Sequence, residues 1–568
     1  MDPTRFARIH AMRTLLVLLA LLLIACPSRR QFGEDDDDSA GDDDDTTGDD
    51  DDSAGDDDDS TGDDDDATGD DDDSASVDAD GDGYPASTDC DETNDAVHPG
   101  ATEICGNLVD DDCSGDAPSC RWSGTVGLNT AFLRLDGVAD DRLGLDGVVA
   151  DVTGDGTVDL VLPASRTGTG SLGSVFVLST PLIPGIASVD SRAVSRIDGA
   201  LPGEQLGGGL LVADLDDDGT NDILAGAPTT DFAGLDAGAL YTFFGPVAPG
   251  VTTASTANLV IDGDTMDGQL GWGFMRPCDL NGDGVQDLVQ RAFRANPLGR
   301  SLAGTVYVWY GPLLATDSLA SADAQIFGAA SEDRLGNVMS CDGDLDGDGD
   351  DDLAIAAQGA EPGGAVYVFY DNPTGLIDLA ATAADATIVT ATADDLLGQD
   401  VRIVEDTDGD GADDLMVGAR TADLGSEDSG GAWLVTGAPT GTMDVGDLAV
   451  SFAGIGLDER AGQAVNTIGD LDGDGHVDFL IGARRSDYAG TNSGATYVVY
   501  GPVTGAVDLA DADAVIVGDS PTSGSSSFIQ PVADITGDGR PDLLIGAYLA
   551  DHTGEDAGSV YVLEVPTY

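Results

Sequence analysis

The segment DLDGDGHVDFLIGA, from Asp470 to Ala483, constrains this chain more than any other, because near copies of it also begin at Asp151, Asp214, Asp279, Asp344, Asp406 and Asp534. The seven leading aspartates are separated by 63, 65, 65, 62, 64 and 64 residues. A period of that size, held over the last four fifths of the chain, calls for stacked or circular supersecondary units and not for unrelated domains.

Each copy reads as a metal loop that runs straight into a buried strand. In the sixth, loop positions one, three, five and nine are Asp470, Asp472, Asp474 and Asp478, with the His476 carbonyl at position seven. Gly473 and Gly475 let the backbone turn sharply enough to aim these oxygens at one point. The same positions hold Asp214, Asp216, Asp218 and Asp222 in the second copy, Asp344, Asp346, Asp348 and Asp352 in the fourth, and Asp406, Asp408, Asp410 and Asp414 in the fifth. The third has Asn281 beside Asp279, Asp283 and Asp287. The first keeps Asp151, Asp155 and Asp159 around Thr153, and the seventh keeps Asp534, Asp538 and Asp542 around Thr536. Hard oxygens in a flexible turn suit Ca2+, and these loops hold no thiolate or imidazole cluster for zinc or copper. A polar Asp/Gly hairpin turn is the competing reading. It would explain one such loop more easily than seven in register. The first, third and seventh loops are expected to bind weakest.

Charge excludes one class of partner. With 108 acidic and 22 basic residues the net charge is -86, which argues against nucleic acid as a partner. At the N-terminus Arg5, Arg8 and Arg13 precede an apolar run, Leu15 to Ala25, too short to span a bilayer and readable as a signal peptide. It ends Leu23-Ile24-Ala25-Cys26, which resembles the lipobox of bacterial lipoproteins. The resemblance implies residues 1–26 as leader, a lipidated Cys26, export, and attachment to the cell envelope, at the outer membrane or cell surface, through the lipid anchor only. An ordinary signal peptide or a short membrane anchor is the alternative. Residues 27–76 contain six blocks of four Asp at a seven-residue period with no apolar position, so they can neither coil nor bury a core. They are expected to form a disordered acidic stalk, with roughly 45 residues reaching up to about 150 Å.

Residues 77–120 are a small module of their own. Asp78, Asp80, Asp82 and Asp89 stand at positions one, three, five and twelve of an EF-hand-like loop, with the Tyr84 carbonyl at seven. Cys90, Cys105, Cys113 and Cys120 follow in a span too short for its own core. In an exported chain they read as two disulfides with three possible connectivities, and a thiolate zinc site is the competing reading. The DCDE, HPGATEIC and DDDCSG motifs resemble the metal-binding repeat of bacterial surface proteins.

Residues 121–568 hold the seven repeats, and three more strand signals recur around each loop. A Leu-Gly approach precedes it at Leu143, Leu206, Leu270, Leu335 and Leu397, with Ala461 in the sixth copy and no equivalent in the seventh. A Gly followed by alternating aromatics and aliphatics comes after it, as in GTVYVWY from Gly304 and GAVYVFY from Gly364. A short run such as Ser195 to Asp198 or Ala514 to Val517 closes the repeat. Four short strands per repeat with no helical period indicate an all-β, seven-bladed propeller of four-stranded blades; a linear β-solenoid is the alternative. The loop, the Gly226-Ala227-Pro228 signature and the GxVYVF strands resemble the FG-GAP repeats of the integrin alpha N-terminal propeller family. The run Ala131 to Asp136 precedes the first repeat, while the chain ends after the third strand of the last. It is therefore expected to complete that blade and close the ring. Cys278 and Cys341, just ahead of the third and fourth loops, are either an inter-blade disulfide or two buried thiols.

Nothing in the sequence marks an enzyme. The four His lie at 10, 98, 476 and 552, and there is no G-x-S-x-G, HExxH or phosphate-binding loop. The expected function is a calcium-binding envelope lipoprotein, acting as a monomer, whose propeller binds an extracellular protein or glycan ligand. A polysaccharide- or phosphodiester-active enzyme is the runner-up. Strand order puts Arg166, Arg291, Arg294, Arg300, Arg420, Arg484 and Arg485, then Arg142, Arg334 and Arg460, on the rim opposite the calcium loops. Arg291, Arg294, Arg420, Arg484 and Arg485 are the candidate ligand contacts, for an anionic or carbohydrate ligand, unless these arginines merely pair with nearby Asp.

Overall fold

The computed structural model describes residues 78–101, 109–113, 121–168, 170–273 and 276–566. Cys26, the stalk, Cys105 and Cys120 lie outside the described residues. Seven separate sheets follow one another, each centred on one repeat, in a seven-bladed β-propeller. In the second blade, Gly209–Ala213, Asp222–Ala227, Ala239–Phe243 and Leu259–Asp262 pair antiparallel in that order.

The second strands are buried along their whole length and the third strands nearly so, as in Asp222–Ala227 and Ala239–Phe243. Neighbouring blades cover both faces of these strands, so they read as continuous apolar runs and not as alternation. The core therefore lies between blades: Phe452 of the fifth and Phe479 of the sixth meet at 5.3 Å between ring centroids.

Two of the sequence signals are one seam. The Gly ahead of each third strand meets the Leu-Gly of the next blade, as Gly173 does Leu206 and Gly238 does Leu270. The backbones come so close that a Cβ on Gly173 would sit 2.1 Å from the Leu206 carbonyl oxygen, and its φ is 79°; only Gly fits there. Where the seventh repeat lacks Leu-Gly, Ser525 faces Gly494 and Ser526 takes the left-handed turn with φ 68°.

The expectation of four strands per blade needs two corrections. A fifth strand runs parallel to the outer strand of six sheets and comes from the following repeat, as Gly250–Thr253 does against Ser195–Asp198. The others are Gly375–Asp378, Gly441–Asp444, Ala506–Asp508, Gly185–Ser188 and Gly124–Gly127. In the third repeat the segment Gly311 to Ser318, GPLLATDS, lacks the Gly that opens five of these six strands. The outer strand Leu259–Asp262 of the second blade accordingly has no fifth partner among the described residues. The third blade, in turn, shows among the described residues only a bridge, Cys278 to Asp287, where its first strand should be. Pro277 beside it cannot donate to a ladder.

Closure follows the expected route. Leu133–Asp136 pairs antiparallel with Ser559–Glu564 of the seventh blade. Gly124–Gly127 adds a second clasp, pairing with Ala514–Val517 of the sixth. Between the third and fourth blades Cys278 and Cys341 are bonded, with Cα atoms 5.6 Å apart.

Candidate metal loops and an axial cavity

Each propeller loop is pre-folded around its first Asp, whose carboxylate accepts backbone N–H groups from further along the turn. In the fourth, Gly347 and Gly349 donate to Asp344 at 2.7 and 2.8 Å. At position five, Asp218 accepts from the Thr220 N–H at 2.9 Å. These bonds turn the carboxylates of positions one, three and five toward one another. Oxygens of Asp214, Asp216 and Asp218 lie within 4.8 Å of each other, as do those of Asp344, Asp346 and Asp348 and of Asp406, Asp408 and Asp410.

Position nine also ties the loop to its blade through backbone hydrogen bonds. Asp222 accepts the Leu215 N–H at 2.9 Å and the Gly245 N–H at 2.8 Å, pinning the loop to the end of the third strand. Asp287 and Asp478 repeat both bonds. Burial pushes Asp222, Asp287, Asp478 and Asp542 up to about 6. In the fourth blade Asp371 replaces the donating Gly, Asp352 Oδ1 is left buried without a partner, and burial pushes Asp352 up to about 8.

The donor set fits a hard cation. All the converging groups are carboxylates, and Asp216 Oδ1, Asp352 Oδ1 and Asp159 Oδ1 are buried with no hydrogen-bond partner, a costly state that a cation relieves. The sixth loop differs, because the Arg121 guanidinium forms an ion pair with Asp472 there.

In the small module Asp78, Asp80 and Asp82 converge, whereas Asp89 groups with Cys90 and Cys113. Those two cysteines form a disulfide, which removes the thiolates that a zinc site would need. Tyr84 stacks on His98 at 4.9 Å.

At the other end of the second strands lies a cavity of about 400 Å3 on the propeller axis. Arg420 and Arg484, which line it, directly follow the strands Asp414–Ala419 and Phe479–Ala483. Arg142, Arg166 and Arg291 line it too, whereas Arg294 and Arg485 do not. Arg485 is engaged by Asp458. Arg291 is a structural clip: it is buried and donates to the carbonyls of Trp272, at 2.6 Å, and Asn337, and burial pushes it down to about 9. Pairing with sequence neighbours holds for Arg460 and Asp458, at 2.9 Å. Arg334 also lies 4.0 Å from a sequence neighbour, though from Glu332 and not Asp333, whereas Arg142 reaches Asp556 at 3.1 Å.

The FG-GAP repeat family matches residues 343–369, 461–499 and 531–563, which fall on the fourth, sixth and seventh blades. The chain carries FG-GAP repeats. Among proteins similar to this chain is human phosphatidylinositol-glycan-specific phospholipase D, 32% identical over 191 residues, or 32% of this chain and 22% of that protein. Integrin alpha pat-2 of Caenorhabditis briggsae is 28% identical over 232 residues, 38% of this chain and 18% of that one. Mouse integrin alpha-IIb is 26% identical over 228 residues, 39% and 20% respectively. The chain thus spans less than a quarter of the length of these relatives. A metal-binding motif, Cu-binding MopE, matches residues 89–117.

The FG-GAP signatures explain the loops and seams but give no hint of what lines the axis. There Arg402 Nε lies 3.7 Å from Asp400 and Arg276 lies 3.6 Å from Asp146. The signal available was a charge where a first strand should be apolar, as in LGQDVRIV at 397–404.

Proposed function

We propose that this chain is a calcium-binding lipoprotein of a bacterial cell envelope, whose propeller serves as a monomeric extracellular binding or adhesion module for a protein or glycan. The observation that carries the reading is the pairing of two unlike sites on one set of strands. Carboxylate loops stand where the second strands begin and a guanidinium-lined cavity where they end. A strand of five or six residues separates them by roughly 17–20 Å.

Asp214, Asp216 and Asp218, with their counterparts in the fourth and fifth loops, would hold calcium. The cation supplies the positive charge that lets three carboxylates share one turn. Position-nine Asp passes that order to the end of the third strand through its two backbone bonds. A rigid ring then presents the opposite rim. The similarity to integrin alpha chains supports a binding role, and lipidated Cys26 with the acidic stalk would hold the ring away from the membrane.

A screen of glycans and surface proteins against the full chain, with and without calcium, tests this. Saturable, calcium-dependent binding without turnover is expected. The relative that is by name a phospholipase D makes catalysis the second reading. Turnover of a polysaccharide or phosphodiester that is lost on changing one carboxylate outside the loops would replace the binding role with an enzymatic one.

A further inference from the structure

The axial cavity has an uneven distribution of charge. Six arginines and two aspartates line it, in a chain whose acidic residues outnumber basic ones by 108 to 22. Toward the axis the charges are matched, by the Arg402–Asp400 and Arg276–Asp146 pairs. Around Arg420 and Arg484 they are not. Among the described residues Arg420 has no hydrogen-bond or ion-pair partner, and its Nε is buried. Arg484 donates to the Tyr548 hydroxyl and lies over that ring, 5.5 Å from its centroid, while its own Nε is buried and unsatisfied. Burial, then the neighbouring charges of Arg460 and Arg484, push the Arg420 guanidinium down. Guanidinium forks that line one cavity without a carboxylate partner match a planar oxyanion supplied from outside.

The rest of the wall says what carries that anion. Gln205, Asn337, Gln399 and Gln463 line the cavity together with Trp272 and Tyr548, and the Gln399 amide oxygen accepts from Gln358 at 2.7 Å. Amides that both donate and accept suit hydroxyl groups, and flat aromatic faces suit an apolar ring face. The volume is that of a small-molecule site.

We infer that this cavity binds a carboxylate-bearing sugar, its carboxylate clamped between Arg420 and Arg484 and its hydroxyls read by the amides. The inference rests on the binding-module reading and narrows it to one site and one ligand class. Arg291, bound to two backbone carbonyls, supports the wall and does not touch the ligand.

The test is calorimetric titration of the full chain, in millimolar calcium, with D-galacturonate, D-glucuronate, their neutral parent sugars and inorganic phosphate. A uronate is expected to bind at least about tenfold more tightly than its neutral parent and than phosphate, and Arg484→Gln and Arg420→Gln each to weaken it about tenfold or more. Melting temperatures of the variants separate lost binding from lost fold, and Gln463→Ala should weaken uronate binding without changing the charge. Uronate bound no better than the neutral sugar or phosphate, or with unchanged affinity in both arginine variants, overturns the inference. A surface ligand from the wider screen that binds regardless of Arg420 and Arg484 also overturns it, yet leaves the binding-module reading standing.

Discussion

Chelating calcium should lower the melting temperature of the full chain by a calculable amount. At least three loops bring the carboxylates of positions one, three and five within 4.8 Å of one another, among them those beginning at Asp214, Asp344 and Asp406. Two unit charges about 4 Å apart repel by about 4 kcal/mol at an effective dielectric of 20, so each empty loop is under strain that a cation removes. With dissociation constants of about 0.1–1 mM, as in extracellular calcium modules, 5 mM calcium stabilises each filled site by about 1–2 kcal/mol and the three by about 3–7 kcal/mol. Unfolding entropy near 2.1 cal/mol/K per residue, over the roughly 440 residues from Gly124 to Pro566, comes to about 0.9 kcal/mol/K. The expected fall is therefore about 3–8 °C between 5 mM calcium and excess EGTA, read by differential scanning calorimetry. Asp216→Asn and Asp346→Asn should each remove about a third of it, which separates the propeller from the acidic stalk. Equal melting in calcium and chelator would show that the loops are ordinary hydrogen-bonded turns and that the calcium reading is wrong.

Three further outcomes follow from particular contacts. Asp352 is pushed up to about 8 by burial, well above its ordinary 3.8, so its neutral form favours the folded state. That contribution is complete below about pH 4 and is lost as pH rises through about 8; in chelator Asp352→Asn should flatten the decline in stability between pH 6 and 8, and an unchanged slope would contradict it. Deleting residues 121–136 removes both clasps, Gly124–Gly127 and Leu133–Asp136, and should destabilise more than Leu135→Ala, itself expected to cost about 2–5 kcal/mol in urea denaturation. A truncated chain with the intact midpoint would refute closure. Arg121→Ala frees Asp472 from its ion pair in the sixth loop, so calorimetry should find one more or one tighter calcium site, and an identical isotherm would mean that the pair does not compete with the cation.

The repeat alone fixes the blade count, the loop positions and the strand that closes the ring, because each rests on local chemistry: Asp and Gly at fixed offsets, followed by an apolar run whose faces must both be covered. The seam is legible as two signals, Leu-Gly and Gly before the third strand, but only the fold shows that Gly173 and Leu206 answer each other across blades. The fifth strands are exposed and short, as in Gly375–Asp378, so they carry little apolar pattern, and their partners lie on a different repeat. Position nine shows the same limit: spacing marks Asp222 as a ligand, whereas its two backbone bonds depend on where the third strand ends. The axis was the least legible part. Arg420 and Arg484 are 64 positions apart in sequence, and what makes them one site is the curvature of the ring, which brings the ends of successive second strands together around a single cavity. Sequence determines what each blade contributes, and ring closure decides which contributions meet.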